Sequence, residues 1–584
     1  MSNADRLHPV LVHHIVNTLG WPSMRPLQER AVAPLLDGGD ALLLAPTAGG
    51  KTEAAVFPVL SAMAREHWQG LSVLYVCPLR ALLNNLEPRL AAYCGWLGRR
   101  AALWHGDVGG AARRRILDDP PDILLTTPES LEAMLISRRV DAHELFARLR
   151  AVIVDEVHAF AGDDRGWHLL AVLERLARLA GRPPQRIGLS ATVGNPDGLL
   201  RWLQGSGAAA RAGVVVAPET PAPGQPARSP EVGLDYVGGV AGAAKVVASL
   251  HKGEKRLVFC DSRRRVEELG RMLRGYGVAT YLSHSSLSAD QRRRSELAFA
   301  EARDCVIVAT STLELGVDIG DLDRVVQIDA PGAVAAFLQR LGRTGRRSGT
   351  PRNCLFLATD DDSLLQAGGL LRLWAQGFVE PVTPPPDPWH IAAQQVLALV
   401  LQEGRVGDRT WREWWNNLGP LDDRAGQVVR HLVATGHLET DSGMLFMGPE
   451  AERAYGRRHF LELTSVFVAD PEFAARYGRE EVGRLHPLAL TGPRAGPRVV
   501  LLAGRSWRVA HIDWRRRRCQ VEPTDVPGDV QWRGTPAPRH YRLCRAMREV
   551  AAGEDPPVTL SRRATARLAE VRDTYAAAVG PAGT

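Results

Sequence analysis

The sequence predicts an α/β fold for residues 1–380 and a change of architecture beyond them. Three observations carry this. An apolar run, Ala41–Leu44, leads through a Gly-rich turn into the helical pattern Glu53–Phe57. A β-branched run, Ala151–Val154, ends in the carboxylate pair Asp155-Glu156. The segment Pro384-Pro385-Pro386-Asp387-Pro388 then breaks the chain, and helical and hairpin patterns follow it.

The first junction reads Ala45-Pro46-Thr47-Ala48-Gly49-Gly50-Lys51-Thr52. Strand, Gly-rich turn and helix with Gly-Lys-Thr at the junction form a phosphate-binding loop. Its candidate nucleotide ligands are Thr47, Gly49, Gly50, Lys51 and Thr52. Glycines let backbone N–H groups curl around phosphates, and the helix N-terminus adds partial positive charge. Lys51 reaches the terminal phosphates, and the Thr52 hydroxyl can ligate Mg²⁺. Ala45 stands where such loops often begin with glycine. The plain alternative is a strand–helix turn without a ligand. Only four lysines occur, at 51, 245, 252 and 255, which argues against one falling here by chance.

At 584 residues the chain should hold about four domains. It is 45% hydrophobic and 23% charged, ordinary for a soluble globular protein. No run of about 18 apolar residues would span a membrane, and the N-terminus lacks the pattern of a signal peptide. The seven cysteines are scattered without a C-x-x-C pair, against zinc, iron–sulfur or disulfide frameworks and for a reducing, cytoplasmic setting. A net charge of +7 favours a polyanionic partner. That charge is carried almost wholly by arginine, as in a GC-rich genome.

The second junction supplies the rest of a phosphoryl-transfer site. Asp155, at the tip of a buried strand, can hold the hydrated Mg²⁺ that Thr52 also approaches. Glu156 can orient and deprotonate the attacking water. Ser190-Ala191-Thr192 ends another strand pattern downstream.

Nine segments in order resemble the motifs of superfamily 2 helicases. Beyond the two junctions and Ser190–Thr192, Arg25-Pro26-Leu27-Gln28 resembles the segment whose glutamine reads adenine. Pro78–Leu82, with Arg80, and Thr126–Ser130, with Thr127, resemble first-domain segments that touch a nucleic-acid backbone. Leu257–Arg264, with Ser262 and Arg264, resembles the opening of a second motor domain. Ala309-Thr310-Ser311 with Leu315–Asp318 resembles the fifth motif, and Gln339–Arg346 the sixth.

The resemblance implies two tandem RecA-like domains, ATP with Mg²⁺, and strand contacts through Arg80, Thr127, Ser262, Arg264 and Thr310. It implies a nucleotide contact by Asp318 and coupling through His158, Ser190 and Thr192. It also implies catalytic roles for Gln339, Arg343 and Arg346 beside Glu156. The two arginines, at i and i+3, are expected one helical turn apart on a face toward the γ-phosphate.

Asp155–Gly166, Val325–Pro331, Tyr455–Phe460 and Leu501–Val509 resemble the large helicase-related (Lhr) group. The chain looks like a compact relative. Its sixth segment, Gly342-Arg343-Thr344-Gly345-Arg346, departs from the Gly-Arg-Ala-Gly-His of many members. This resemblance implies 3′→5′ movement on single-stranded DNA and unwinding of DNA duplexes or RNA–DNA hybrids, without a membrane partner. Two rivals are a DEAD-box RNA helicase that opens short duplexes locally, and a nucleic-acid-gated ATPase serving with protein partners in a repair or phage-defence assembly.

Domain boundaries are expected at 1–205 and 206–380 for the motors, with 206–232 a linker or surface loop. Helical patterns at about 389–403, 409–417 and 423–436, then a hairpin at 436–447, read as a winged-helix domain at 381–454. Residues 455–584 read as a mostly β domain with a helix after Ser561. Within it, Arg515–Arg518 form a basic turn, with Arg516 a strand contact and Trp507 or Trp514 a stacking face. The plain alternative there is a solvated hairpin tip with core tryptophans. Asp163-Asp164 read as a solvated loop.

Overall fold

A computed structural model describes residues 3–46, 49–217, 229–314, 322–345, 347, 350–455, 463, 472–491, 498–526, 528 and 538–579. The chain forms two compact units, Met1–Ala222 with Pro381–Val468 and Pro223–Glu380 with Ala469–Thr584.

The first unit is built on seven parallel strands: β1 (Asp40–Leu44), β2 (Val73–Val76), β3 (Ala101–Trp104), β4 (Ile123–Thr126), β5 (Ala151–Val154), β6 (Gln185–Ser190) and β7 (Gly213–Val216). Their order is β3-β4-β2-β5-β6-β1-β7. Strands β1, β2, β4 and β5 are buried along their whole length, which is why they read as unbroken apolar runs. The sheet extends past the boundary expected at 205. Arg211 reaches back to Asp40 at 2.5 Å, and β7 then pairs alongside β1.

The second unit has its own all-parallel sheet. Its strands are β8 (Glu231–Tyr236), β9 (Lys255–Phe259), β10 (Thr280–Ser283), β11 (Cys305–Ala309), β12 (Arg324–Ile328) and β13 (Asn353–Ala358). Two tandem RecA-like domains are therefore present, as expected.

Residues 389–447 hold the helices Trp389–Glu403 and Gly426–Ala434 and an antiparallel sheet of β14 (Val406–Gly407), β15 (Leu438–Asp441) and β16 (Met444–Met447). The middle helical pattern is instead a 3-10 helix, Trp411–Trp415, stopped by Asn416 and Asn417 at φ 47° and 59°. Trp411 and Trp415 pack with Val396 and Leu399 onto Leu170 and Ala171 of the first motor domain. Beside that core lies a fully buried ionic cluster. Glu132 accepts from Arg175 Nη1 at 2.6 Å and pairs with His168 Nε2 at 3.1 Å, while Arg175 Nε donates to Gln402 at 3.0 Å.

The C-terminal segment belongs to the second unit. A five-stranded sheet comprises β17 (Phe473–Tyr477), β18 (Glu480–Leu485), β19 (Val499–Leu502), β20 (Arg505–Asp513) and β21 (Arg518–Pro523). It shares one apolar core with Val266, Leu269 and Leu273 of the helix Arg263–Gly275. Buried Glu267 on that helix accepts from Ala503 N at 2.6 Å and from Gly504 N, so it grips the β19–β20 turn. The last segment is less β-rich than the sequence predicts. The strand β22 (Thr559–Leu560) joins the second parallel sheet beside β8, and the helices Tyr541–Ala551 and Arg562–Val579 follow the same domain. Gly369, on the helix Asp361–Ala375, lets the helix Tyr541–Ala551 approach closely, because a Cβ there would lie 2.7 Å from Met547 N.

Candidate active site

The phosphate loop, the carboxylates and Ser190 stand at the carboxyl ends of β1, β5 and β6, three adjacent strands. That edge is where parallel α/β sheets bind ligands. Gly50 has φ +81°, and a Cβ there would meet Gln28 Nε2 at 2.5 Å. A Cβ on Gly49 would lie 2.6 Å from Ala45 Cβ. The turn therefore requires glycine at both positions. Lys51 opens the helix Lys51–Arg65, and its Nζ donates to the carbonyls of Ala45 at 2.8 Å and Pro46 at 3.3 Å. Thr47 lies outside the described residues. Gln28 is buried, with Oε1 accepting from Arg25 N at 2.9 Å and Nε2 donating to Gly50 O at 3.3 Å. Its amide holds the phosphate loop in shape.

Asp155 is the centre of the second group. Its Oδ1 accepts from Glu156 N at 2.9 Å, and its Oδ2 accepts from the Tyr75 hydroxyl at 2.7 Å. Burial, and then the neighbouring Glu156 carboxylate, raise Asp155 above the usual carboxylate range. A nearby cation would relieve that cost. The Thr52 hydroxyl and Asp155 carboxylate are the hard oxygen donors that Mg²⁺ takes, so these residues fit ATP with Mg²⁺.

Glu156 sits at φ 49°, strained for a non-glycine residue, and precedes the helix Val157–Ala161. His158 Nδ1 lies 3.0 Å from Ser190 Oγ, and its Nε2 lies 3.6 Å from Glu156 Oε2. Burial, then the Lys51 charge, push His158 down to about 4, so it is neutral at pH 7. The Ser190 hydroxyl donates to the Ala191 carbonyl at 2.8 Å. Thr192 is exposed beyond it.

The remaining candidates are dispersed. Arg80 is exposed and pairs with Asp107 at 2.8 Å. Thr127 caps the helix Pro128–Leu135. In the second unit, Ser262 caps Arg263–Gly275, Arg264 is exposed, and Thr310 follows β11.

The sixth segment requires a correction. The helix Val334–Leu341 carries half-buried Gln339 but ends before Arg343, so Arg343 stands in a turn and not on a helical face. Its side chain is fully buried and its Nη2 donates to the Glu314 carbonyl. Arg346 and Asp318 lie outside the described residues.

The basic turn is present between β20 and β21, with Arg516 N donating to Asp513 Oδ1 at 2.9 Å. Of the two tryptophans, Trp507 is only 6% exposed and donates Nε1 to Leu502 O, so it is a core residue. Trp514 is 51% exposed, its ring T-shaped against Phe473.

Sequence reasoning missed Tyr75, Arg165, Glu129 and Glu267. Tyr75 and Glu267 carry no local mark, and Arg165 and Glu129 lie inside segments read as motifs but with no role of their own, since each acts through a partner distant in sequence.

This site and this sheet order define the class: a two-domain motor of the ATP-dependent helicases. Residues 25–198 match the DEAD/DEAH box helicase family and residues 242–348 the helicase conserved C-terminal domain. Within the class, the chain resembles the Lhr helicases. It is 32% identical to the Lhr helicase/probable uracil glycosylase of Mycolicibacterium smegmatis, over 91% of this chain and 39% of that protein. It is 31% identical to the Lhr helicase/uracil glycosylase of Escherichia coli, over 85% of this chain and 38% of that protein. The chain thus spans about two fifths of the length of these relatives. The solved Mycobacterium smegmatis helicase Lhr bound to ssDNA and AMP-PNP superposes with a TM-score of 0.75 at 26% identity, covering 99% of this chain and 75% of that one. No helix among the described residues is long and apolar enough to cross a membrane.

Proposed function

We propose that this chain is an ATP-driven translocase that moves 3′→5′ on single-stranded DNA and unwinds DNA duplexes or RNA–DNA hybrids. The observation that carries this is the convergence of Lys51, Asp155, Glu156, His158 and Ser190 at three adjacent strand ends. Similarity along nearly the whole chain to a motor solved with single-stranded DNA supports the choice of track.

ATP supplies the transferable phosphoryl group, and Mg²⁺ shields its charge. Lys51 would hold the terminal phosphates, and Thr52 and Asp155 would hold Mg²⁺, Asp155 through water. Glu156 orients the attacking water and takes its proton. His158 and Ser190 tie Glu156 to the β6 end, with Thr192 beside them. Gln28 steadies the loop next to the adenine. Arg343, with Arg346 and Gln339, is the second domain's contribution to transition-state charge, and Asp318 is its nucleotide contact. Arg80, Thr127, Ser262, Arg264 and Thr310 grip the strand backbone. Two helices with a small antiparallel sheet support the winged-helix reading of residues 381–454. The exposed turn Arg515–Arg518 and Trp514 extend the track.

The test is ATP turnover with single-stranded DNA against single-stranded RNA, together with displacement of 3′- and 5′-tailed duplexes. DNA stimulation and unwinding of 3′-tailed substrates are expected. RNA-only stimulation with local opening would make it a DEAD-box-like enzyme. Stimulated turnover without displacement would make it an ATPase subunit of a larger repair or defence assembly.

A further inference from the structure

A single guanidinium, on the helix that follows the hydrolytic carboxylates, contacts both first-domain segments read above as strand contacts. Only the helix Val157–Ala161 and the turn Gly162-Asp163 separate Glu156 from the helix Asp164–Leu179. Asp163, expected in a solvated loop, caps that helix by accepting from Arg165 N at 2.9 Å. Gly166 abuts Phe160 so closely that any Cβ would overlap the Phe160 carbonyl oxygen. The piece from Glu156 to Gly166 is therefore stiff, and Arg165 projects from its far end.

Arg165 is not a solvated charge, since its side chain is 28% exposed. Its Nε and Nη2 each lie 2.7 Å from Glu129 Oε1. Nη2 also donates to the Pro78 carbonyl at 3.2 Å, and the guanidinium carbon lies 5.5 Å from the Phe160 ring centre. Glu129 follows the Thr127 cap of its helix by two residues, and Pro78 precedes Arg80 by two. Burial raises Glu129, but the Arg165 guanidinium, with a backbone hydrogen bond and the nearby His168, together hold that carboxyl below its usual value. The contact is thus charged on both sides and closely fitted.

We propose that Arg165 is the positioning residue through which a strand bound at Pro78–Leu82 and Thr126–Ser130 controls the placement of Asp155 and Glu156. This rests on the reading of those segments as strand contacts. A strand that shifts either segment displaces an acceptor of the guanidinium. The stiff Glu156–Gly166 piece then carries that displacement to the water-activating carboxylate. By linkage, the nucleotide state must alter strand affinity through the same contact. The role needs arginine, because a lysine ammonium cannot span both acceptors from the fixed fork that a guanidinium provides.

The experiment titrates ATP turnover of the full chain with an oligothymidylate single strand. Arg165→Ala should keep strand-free turnover within about twofold while raising the half-stimulating strand concentration about tenfold. Arg165→Lys should fail to restore it. Glu129→Gln, which keeps side-chain shape, should shift in the same direction by less. Parent-like half-stimulation in both Arg165→Ala and Glu129→Gln overturns the inference, as does full rescue by lysine. A fall of strand-free turnover in step with stimulated turnover in Glu129→Gln would make the contact merely structural and also overturns it. A parent whose turnover ignores single strands instead overturns the proposed function, and this inference with it. A stimulated parent with unchanged variants overturns the inference alone.

Discussion

The two parallel-sheet domains use the same architecture but hold their charged groups differently. In the first, Lys51, Asp155 and His158 stand at strand ends, and their partners are loop carbonyls, a tyrosine hydroxyl and a serine hydroxyl. In the second, Arg340 and Arg343 of the sixth segment are sunk into the domain. Arg340 bonds Glu314 and Gln327, and Arg343 bonds the Glu314 carbonyl. The first site is assembled by its strand ends and can be changed without emptying the core. The second carries charge that also supports the fold, so its substitutions report on chemistry and stability together.

The largest effect that would break this contrast lies in the first domain. Lys51→Ala and Glu156→Gln should each lower turnover at least about 10²–10⁴-fold with little change in melting temperature. Lys51→Ala should also lose nucleotide affinity, measured by equilibrium titration, whereas Glu156→Gln should retain it. Turnover near the parent's in either variant would sink the site assignment.

Arg343→Ala comes next and should show both faces of the second domain. Turnover should fall about 10³-fold, and stability should drop by about 3 kcal/mol, because a fully buried charged side chain is removed from its acceptor. Denaturant titration beside the turnover assay separates the two. Full turnover at reduced stability would leave Arg343 a structural residue only.

Glu267→Ala sharpens the comparison away from either site. It strands the Ala503 and Gly504 amides, and should cost about 2 kcal/mol of stability while strand-free turnover stays within about twofold. Loss of turnover at unchanged stability would mean that the C-terminal sheet acts on the chemistry and is not simply anchored.

The smallest effect is a pH slope. His158 is held at about 4 in the folded chain, while an unfolded histidine titrates near 6.5. Between these values the unfolded chain binds more protons, so stability contributed by neutral His158 is lost as pH falls from 6.5 toward 4. His158→Gln should flatten that decline by up to about 1.4 kcal/mol per pH unit. Equal slopes in parent and variant, read from denaturation midpoints across this range, would show that His158 protonates freely when folded.

The sequence by itself determined the chemistry of the first site. A loop that wraps phosphate needs glycine at positions 49 and 50, and hydrolysis needs carboxylates at a strand tip. Both demands are local and leave residue-level marks at Gly49–Thr52 and at Asp155-Glu156. The tandem α/β order and the hairpins around 438–447 and 499–512 were legible for the same reason, through strand patterning and turn residues. Only the tertiary structure decided which tryptophan beside the basic turn is core: Trp507, on β20, joins the core shared with the helix Arg263–Gly275, whereas Trp514 lies in the turn beyond that strand and stays half exposed. It alone buried Arg343, joined Thr559–Leu560 to β8 and set Tyr75 against Asp155. Those outcomes depend on groups that lie far apart along the chain. Sheet order and core packing bring them together, and no short stretch of sequence records where that packing will close.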